Sequence, residues 1–252
     1  MTVLEVLVAA TVTALATGLG ALPVGWIGAE RVERHQPLLL GITAGVMTAA
    51  SIGLLVDPLR GAEYAPVIFG FALGVAFLAV AQRLLAGREE RSEVPGEAAS
   101  GRHLRRSLLV FAVLFVHSLP EGFALGSAWS SNVGGLGLFV FIAISIQNIP
   151  EGTATAIPMV QAGFSRRRQF WAAVGTSLPQ PVGAVLAFVL VEEIRALLPW
   201  SLGFAAGAML ALVVADLVPE AVAEPDGRLQ AVIGVVASLA LMVAMGLLLT
   251  VV

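Results

Sequence analysis

The chain has 252 residues, 58% of them hydrophobic and only 12% charged, with a formal net charge of −3 and no cysteine. A water-soluble domain is roughly half apolar and about a quarter charged, so this composition excludes one and describes an integral membrane protein. No basic stripe with interleaved aromatics offers itself to nucleic acid, and without cysteine there is neither a disulfide nor a thiolate metal site.

A hydrocarbon layer about 30 Å thick takes about 20 helical residues to cross. Eight apolar runs are long enough, at 3–27, 36–58, 65–86, 107–129, 135–160, 169–191, 199–221 and 229–251. Backbone polar groups find no water in the hydrocarbon, so each run is predicted to be a helix. The runs lack the alternating polar residues of a barrel lumen. The first run follows neither a basic segment nor a small-residue cleavage site, and is expected to be a retained helix.

The connections alternate in charge. Arg31 and Arg34 follow the first run. Arg83, Arg88, Arg91, Arg102, Arg105 and Arg106 cluster around the connection after the third. Arg166, Arg167 and Arg168 follow the fifth, and Arg228 follows the seventh. The opposite connections hold only Arg60 and Arg195, and the chain has no lysine. Positive charge stays on the cytoplasmic side, which predicts both termini outside a cytoplasmic membrane. The longest connection, 87–106, is charged and rich in Gly and Ser, and is expected to be a mobile cytoplasmic linker. Residues 1–252 are read as one domain.

Small residues recur at GxxxG spacing in Gly41/Gly45, Gly70/Gly74 and Gly203/Gly207. That spacing lets helix backbones approach closely in lipid. It is read first as packing inside one bundle and second as a homodimer interface.

The fourth and fifth runs carry the chemistry. Val116-His117-Ser118-Leu119-Pro120-Glu121-Gly122 is echoed, 30 residues on, by Ile146-Gln147-Asn148-Ile149-Pro150-Glu151-Gly152. In each copy a hydrogen-bonding side chain stands four residues before a carboxylate, so both share one helical face. Fainter copies lie at Thr176-Ser177-Leu178-Pro179-Gln180-Pro181 and at Asp216-Leu217-Val218-Pro219-Glu220. Carboxylates deep in apolar helices are costly and mark ion or proton sites. A short connection makes the two helices antiparallel neighbours. If their polar faces meet, His117, Glu121, Gln147 and Glu151 surround one point near the bilayer midplane. Imidazole with carboxylates suits Zn²⁺, Fe²⁺ or Mn²⁺, and two carboxylates balance a divalent charge. Pro120 and Pro150 cannot donate to the carbonyls of Val116 and Ile146. Both helices are therefore expected to kink, with the freed carbonyls toward the cavity. Gly122 and Gly152 are expected to remove bulk beside each carboxylate. A lone midplane glutamate or a single proline kink fits a purely structural role. Two copies in register are hard to obtain that way.

This paired signature resembles that of the ZIP (Zrt-, Irt-like protein) family, in its bacterial GufA-like branch. Gly45-Val46-Met47 and Phe204-Ala205-Ala206-Gly207-Ala208-Met209 are also similar to that branch. The resemblance covers essentially the whole chain. It implies an all-α membrane protein of eight transmembrane helices that imports a divalent metal ion, chiefly zinc, without a catalytic cofactor. It implies a primary metal site at His117, Glu121, Gln147 and Glu151. A second site, common in the family, departs here, since Ser118, Asn148 and Gln180 replace residues that include two carboxylates. The expectation is one metal ion, with those three as neutral lining. Asp216 falls near the family's metal path. Asp57 is read as a cation attractor at the outer mouth or as a plain helix-terminal residue. Glu220 is read as structural or exit-lining. His103 stands alone in its loop, and His35 lies in another, so metal sensing by a loop is not expected. The resemblance further implies that helices one, four, five and six move as a block against the rest. An intramembrane metalloenzyme is the rival reading, but no HExxH appears. A metal-free proton or cation carrier using Glu121 and Glu151 is another.

Overall fold

The structure, a computed structural model, describes residues 2–92, 99–249 and 251. Every regular element among them is a helix, and eight helices are long and apolar enough to cross a membrane. The first span is α1 (Val3–Ile27), opened by a capping box in which the Thr2 hydroxyl accepts from the Glu5 amide at 3.3 Å and the Glu5 carboxylate accepts from the Thr2 amide at 2.7 Å. A short α2 (Ala29–Glu33) leads to α3 (Gln36–Arg60), followed by α4 (Tyr64–Ser92), α5 (Ala99–Ser130) and α6 (Leu136–Gln161).

The sixth span is broken into α7 (Arg166–Thr176) and α8 (Pro179–Glu193). Pro179 has no N–H for the Gly175 carbonyl, which instead accepts from Leu178 at 3.3 Å, so the chain turns at Ser177 and Leu178. By contrast, Pro120 and Pro150 lie inside the continuous helices α5 and α6. The seventh span runs through α9 (Leu198–Leu212), a wide π turn at Val213–Leu217 and α10 (Val218–Ala221). Pro219 cannot bond the Ala215 carbonyl, and the π turn absorbs the missing donor. The last span is α11 (Arg228–Leu248).

The connection at 87–106 departs from the expected linker. α4 continues to Ser92 and α5 begins at Ala99, because Leu, Ala, Arg and Glu are good helix formers and carry the helix past the apolar run. Only 93–98 of that stretch lie outside the described residues.

Four helix pairs make the closest contacts: α1 with α6, α5 with α8, α3 with α11, and α4 with α9. Glycine permits this. A Cβ on Gly41 would overlap the Ala231 carbonyl oxygen of α11, and one on Gly74 that of Phe204 in α9. Gly45, Gly70, Gly203 and Gly207 are used the same way, so all three GxxxG faces pack inside the chain. The pairs form two groups. One is α1, α5, α6, α7 and α8, and the other is α3, α4, α9 and α11. The groups meet mainly along α3–α6 and α5–α9. There a glycine meets a side chain and not a backbone, as Gly53 meets the Phe139 ring. Met47, Leu54, Leu125, Leu136, Phe139 and Leu202, all fully buried or nearly so, form one core between the groups.

Candidate metal centre

α5 carries His117 and Glu121 one turn apart, and α6 carries Gln147 and Glu151 with the same spacing. All four are buried, with 2%, 0%, 0% and 6% of their surfaces exposed in that order. The Gln147 amide donates to Glu121 Oε1, and the Gln180 amide donates to Glu121 Oε2 at 2.5 Å. The Glu151 carboxyl adjoins that of Glu121. Glu121 is thus where α5, α6 and α8 converge.

Around it lie polar atoms with nothing in the protein to bond. Both ring nitrogens of His117, Gln147 Oε1 and Glu151 Oε1 are fully buried and have no hydrogen-bond partner. An unpaired buried polar group costs roughly 1–3 kcal/mol, and folded proteins leave few. Here four such atoms sit on three of the four residues that the doubled sequence pattern singles out. Nitrogen and oxygen donors in this mixture suit a divalent transition metal. Among the described residues no three His, Asp or Glu side chains close on one point by themselves. Gln147 is the member that brings the second helix to Glu121.

The other predicted residues are placed differently. Ser118 is buried, but its hydroxyl donates to the Leu114 carbonyl of its own helix at 2.9 Å. Asn148 donates to the Thr13 carbonyl at 2.7 Å and to Gln180 Oε1 at 3.2 Å. Gln180 also accepts from the Thr13 hydroxyl at 3.1 Å, and Thr17 shares a 2.7 Å hydrogen bond with Ser177 beside the break in the sixth span. The sequence reading did not include Thr13 and Thr17. The signal was present, since two threonines four apart in an apolar run share one face of α1.

Gly122 and Gly152 do not clear space for the carboxylates. A Cβ on Gly152 would overlap the Thr17 carbonyl oxygen of α1, and one on Gly122 that of Gln180 in α8. They bring neighbouring backbones to the site. The sequence showed where these glycines stood but not which helix lay against them.

A cavity of about 880 Å³ runs from Glu151 to the arginine-bearing ends of the helices, where Gln36, Arg105, Arg106 and Glu220 line it. Asp216, half-buried on the π turn, lines it too and accepts from the Gln82 amide at 2.6 Å. Asp57 lies at the opposite end, exposed, in a separate cavity of about 510 Å³ with Arg60, Glu63 and Arg195. That cavity shares no lining residue with the one that reaches Glu151. The core of Leu54, Leu125, Phe139 and Leu202 lies on that side.

Residues 81–248 match the family model described as ZIP zinc transporter. The zinc transporter GufA of Myxococcus xanthus is 32% identical over 224 residues, covering 85% of this chain and 87% of the relative. The zinc transporter ZIPB of Bordetella bronchiseptica is 31% identical over 216 residues, covering 81% and 69%. A protein of Arabidopsis thaliana named for zinc transport is 34% identical over 212 residues, or 84% of this chain, and the match spans 33% of that relative's length.

Proposed function

The chain belongs to the ZIP zinc transporter family, a family of transporters and not of enzymes, and on that premise we propose that it imports divalent transition-metal ions, chiefly zinc, through a site made of His117, Glu121, Gln147 and Glu151. The observation that carries the proposal is the set of unpartnered buried atoms on His117, Gln147 and Glu151 beside Glu121. Two carboxylates neutralise one divalent ion, which matters where the dielectric is low. Imidazole and amide complete the coordination without adding charge.

The protein works in a cytoplasmic membrane with its arginine-rich ends inside and both termini outside. The ion reaches the site from outside and leaves by the cavity lined by Asp216 and Glu220. Exchange of access occurs when the α1/α5/α6/α7/α8 group moves against the α3/α4/α9/α11 group. The packing supports this reading. Most glycine-mediated backbone contacts lie within a group, the crossing one at Gly135 and Leu249 being at the helix ends, while along α3–α6 Gly53 meets the Phe139 ring. A backbone-to-backbone contact tolerates no sliding, and a side-chain seam can repack.

Proteoliposome uptake of zinc, cadmium, iron and manganese tests the assignment. The Glu151→Ala variant is expected to lose uptake of every ion the parent carries. Uptake at the parental rate would show that the transport site lies elsewhere.

A further inference from the structure

The α5–α9 seam between the two helix groups carries a hydrogen bond in its outer half. The Ser127 hydroxyl of α5 and the Ser201 hydroxyl of α9 lie 2.5 Å apart, with Ser127 fully buried and Ser201 partly so. Other serines inside the spans turn back on their own helix. Ser118 donates to the Leu114 carbonyl at 2.9 Å, Ser130 to that of Gly126 at 3.1 Å and Ser145 to that of Phe141 at 2.7 Å. Ser127 and Ser201 bond across the seam instead, whereas the side-chain hydrogen bonds around Glu121 and Asp216 stay within one group. One turn inward, the same two helices set the Phe123 ring edge-on to that of Phe204, with centroids 5.4 Å apart.

This pair stands between the outer cavity and the site. The cavity that holds Asp57 reaches Leu202, the residue after Ser201. Glu121 precedes Ser127 on α5 and lies about 9 Å further inward along the helix. The chain leading into α9 is pinned to the first group, since Arg195 donates to the Ser130 carbonyl at 2.5 Å and to both Glu192 oxygens at 2.9 Å. Movement of one group against the other therefore begins past Arg195, where Ser201 stands near the head of α9. Resting on the transport reading above, we propose that the Ser127–Ser201 hydrogen bond is the latch of an outer gate: it holds the seam shut in this state and parts each time an ion passes from the outer cavity to Glu121. Release costs little, because a freed Ser127 hydroxyl can turn to the Phe123 carbonyl of its own helix, as Ser130 does to Gly126. The latch thus favours the shut gate without locking it.

Thiols at the two positions test the proposal, because the chain has no cysteine of its own. Two hydroxyls in contact place their Cβ atoms about as far apart as a disulfide needs. In the full-chain double variant Ser127→Cys/Ser201→Cys, diamide is expected to take two electrons and two protons from the thiols and close a disulfide in ion-free proteoliposomes. Zinc uptake is expected to be lost on oxidation and to return once a reductant has been added and washed out. The oxidised protein in detergent is expected still to bind cadmium, which enters by the open cytoplasmic cavity. An oxidised double variant that transports as fast as its reduced form overturns the proposal, and so do two thiols of the folded protein that fail to pair. Uptake lost only together with cadmium binding overturns it too. Ser127→Ala removes the latch without a pair of thiols. Combined with Leu125→Cys, it is expected to raise labelling from outside by a water-soluble maleimide about threefold, as for loss of a weak hydrogen bond. An unchanged labelling rate overturns the proposal even where the double variant does not fold. Glu151→Ala separates this failure from the broader one. Parental uptake in Glu151→Ala moves the site elsewhere. Loss of uptake in Glu151→Ala beside an active oxidised double variant removes the latch alone.

Discussion

Glu121 and Glu151 occupy equivalent places in the two sequence copies but are held differently. Glu121 receives an amide proton on each oxygen, from Gln147 and Gln180. Glu151 Oε1 receives none. The two charge-neutralising variants should therefore differ in stability even where both lose uptake. Glu121→Gln sets an amide group against two amide donors, so the Gln147 amide must turn to offer its Oε1, and both hydrogen bonds lose the charge that strengthened them. Thermal unfolding of the purified, ion-free protein is expected to show a loss of about 1–3 kcal/mol. Glu151→Gln replaces a buried carboxyl that has one oxygen without a partner and adjoins a second carboxyl, and is expected to leave stability unchanged or slightly raised. Equal loss in both variants would mean that the amides do not hold Glu121. The two residues are alike in sequence, and their difference comes from Gln180, which reaches Glu121 from a helix about 60 residues further along the chain.

At the scale of the element, the glycines that follow the two glutamates make contacts and do not clear space. Gly152 lets α6 lie against the backbone of α1 at Thr17. The neighbour is a carbonyl, which cannot swing aside as a side-chain end can. Gly152→Ala is expected to destabilise the protein by at least the roughly 1–3 kcal/mol of an overpacked core, read as a lower unfolding temperature. Gly134→Ala, where an added Cβ meets nothing, is the control and is expected to be silent. Much at this scale was legible in the chain. Eight long apolar runs announce eight spans, because nothing else in a sequence sustains that hydrophobicity. Pro179 broke a helix while Pro120 and Pro150 did not. The local sequence differs at the third, where Gly175 stands four residues before Pro179 in place of Val116 or Ile146 and a second proline, Pro181, removes another backbone donor. The helical ends at 87–92 and 99–106 were missed because a charged, polar stretch looks like a loop to a hydropathy argument, although many of its residues favour helix. The pairs His117/Glu121 and Gln147/Glu151 were legible from spacing alone. The lattice through Thr13 was not, since it joins residues on three helices far apart in sequence.

For the whole molecule, the cavity and the core define one state of access. Open space reaches Glu151 from the arginine-bearing ends and stops there. On the far side Leu54, Leu125 and Phe139 are fully buried or nearly so and belong to one apolar core. With the GxxxG faces already used inside the chain, the moving surfaces are the side-chain seams at α3–α6 and α5–α9. The absence of cysteine makes this state open to a direct test, because any thiol introduced is the only one. Val113 lines the cavity one turn before His117, and Leu125 lies in the buried core, lining neither cavity. In ion-free membranes, Val113→Cys is expected to react with a water-soluble maleimide applied from the cytoplasmic face and not from outside. Leu125→Cys is expected to resist the reagent from both faces. Zinc in excess should slow labelling of Val113→Cys if the loaded site turns outward or closes. Reaction of Leu125→Cys from outside, in ion-free membranes and at a rate matching Val113→Cys from inside, would mean that the seam is a water-filled passage. The protein would then conduct as a channel, and the two helix groups would not need to move.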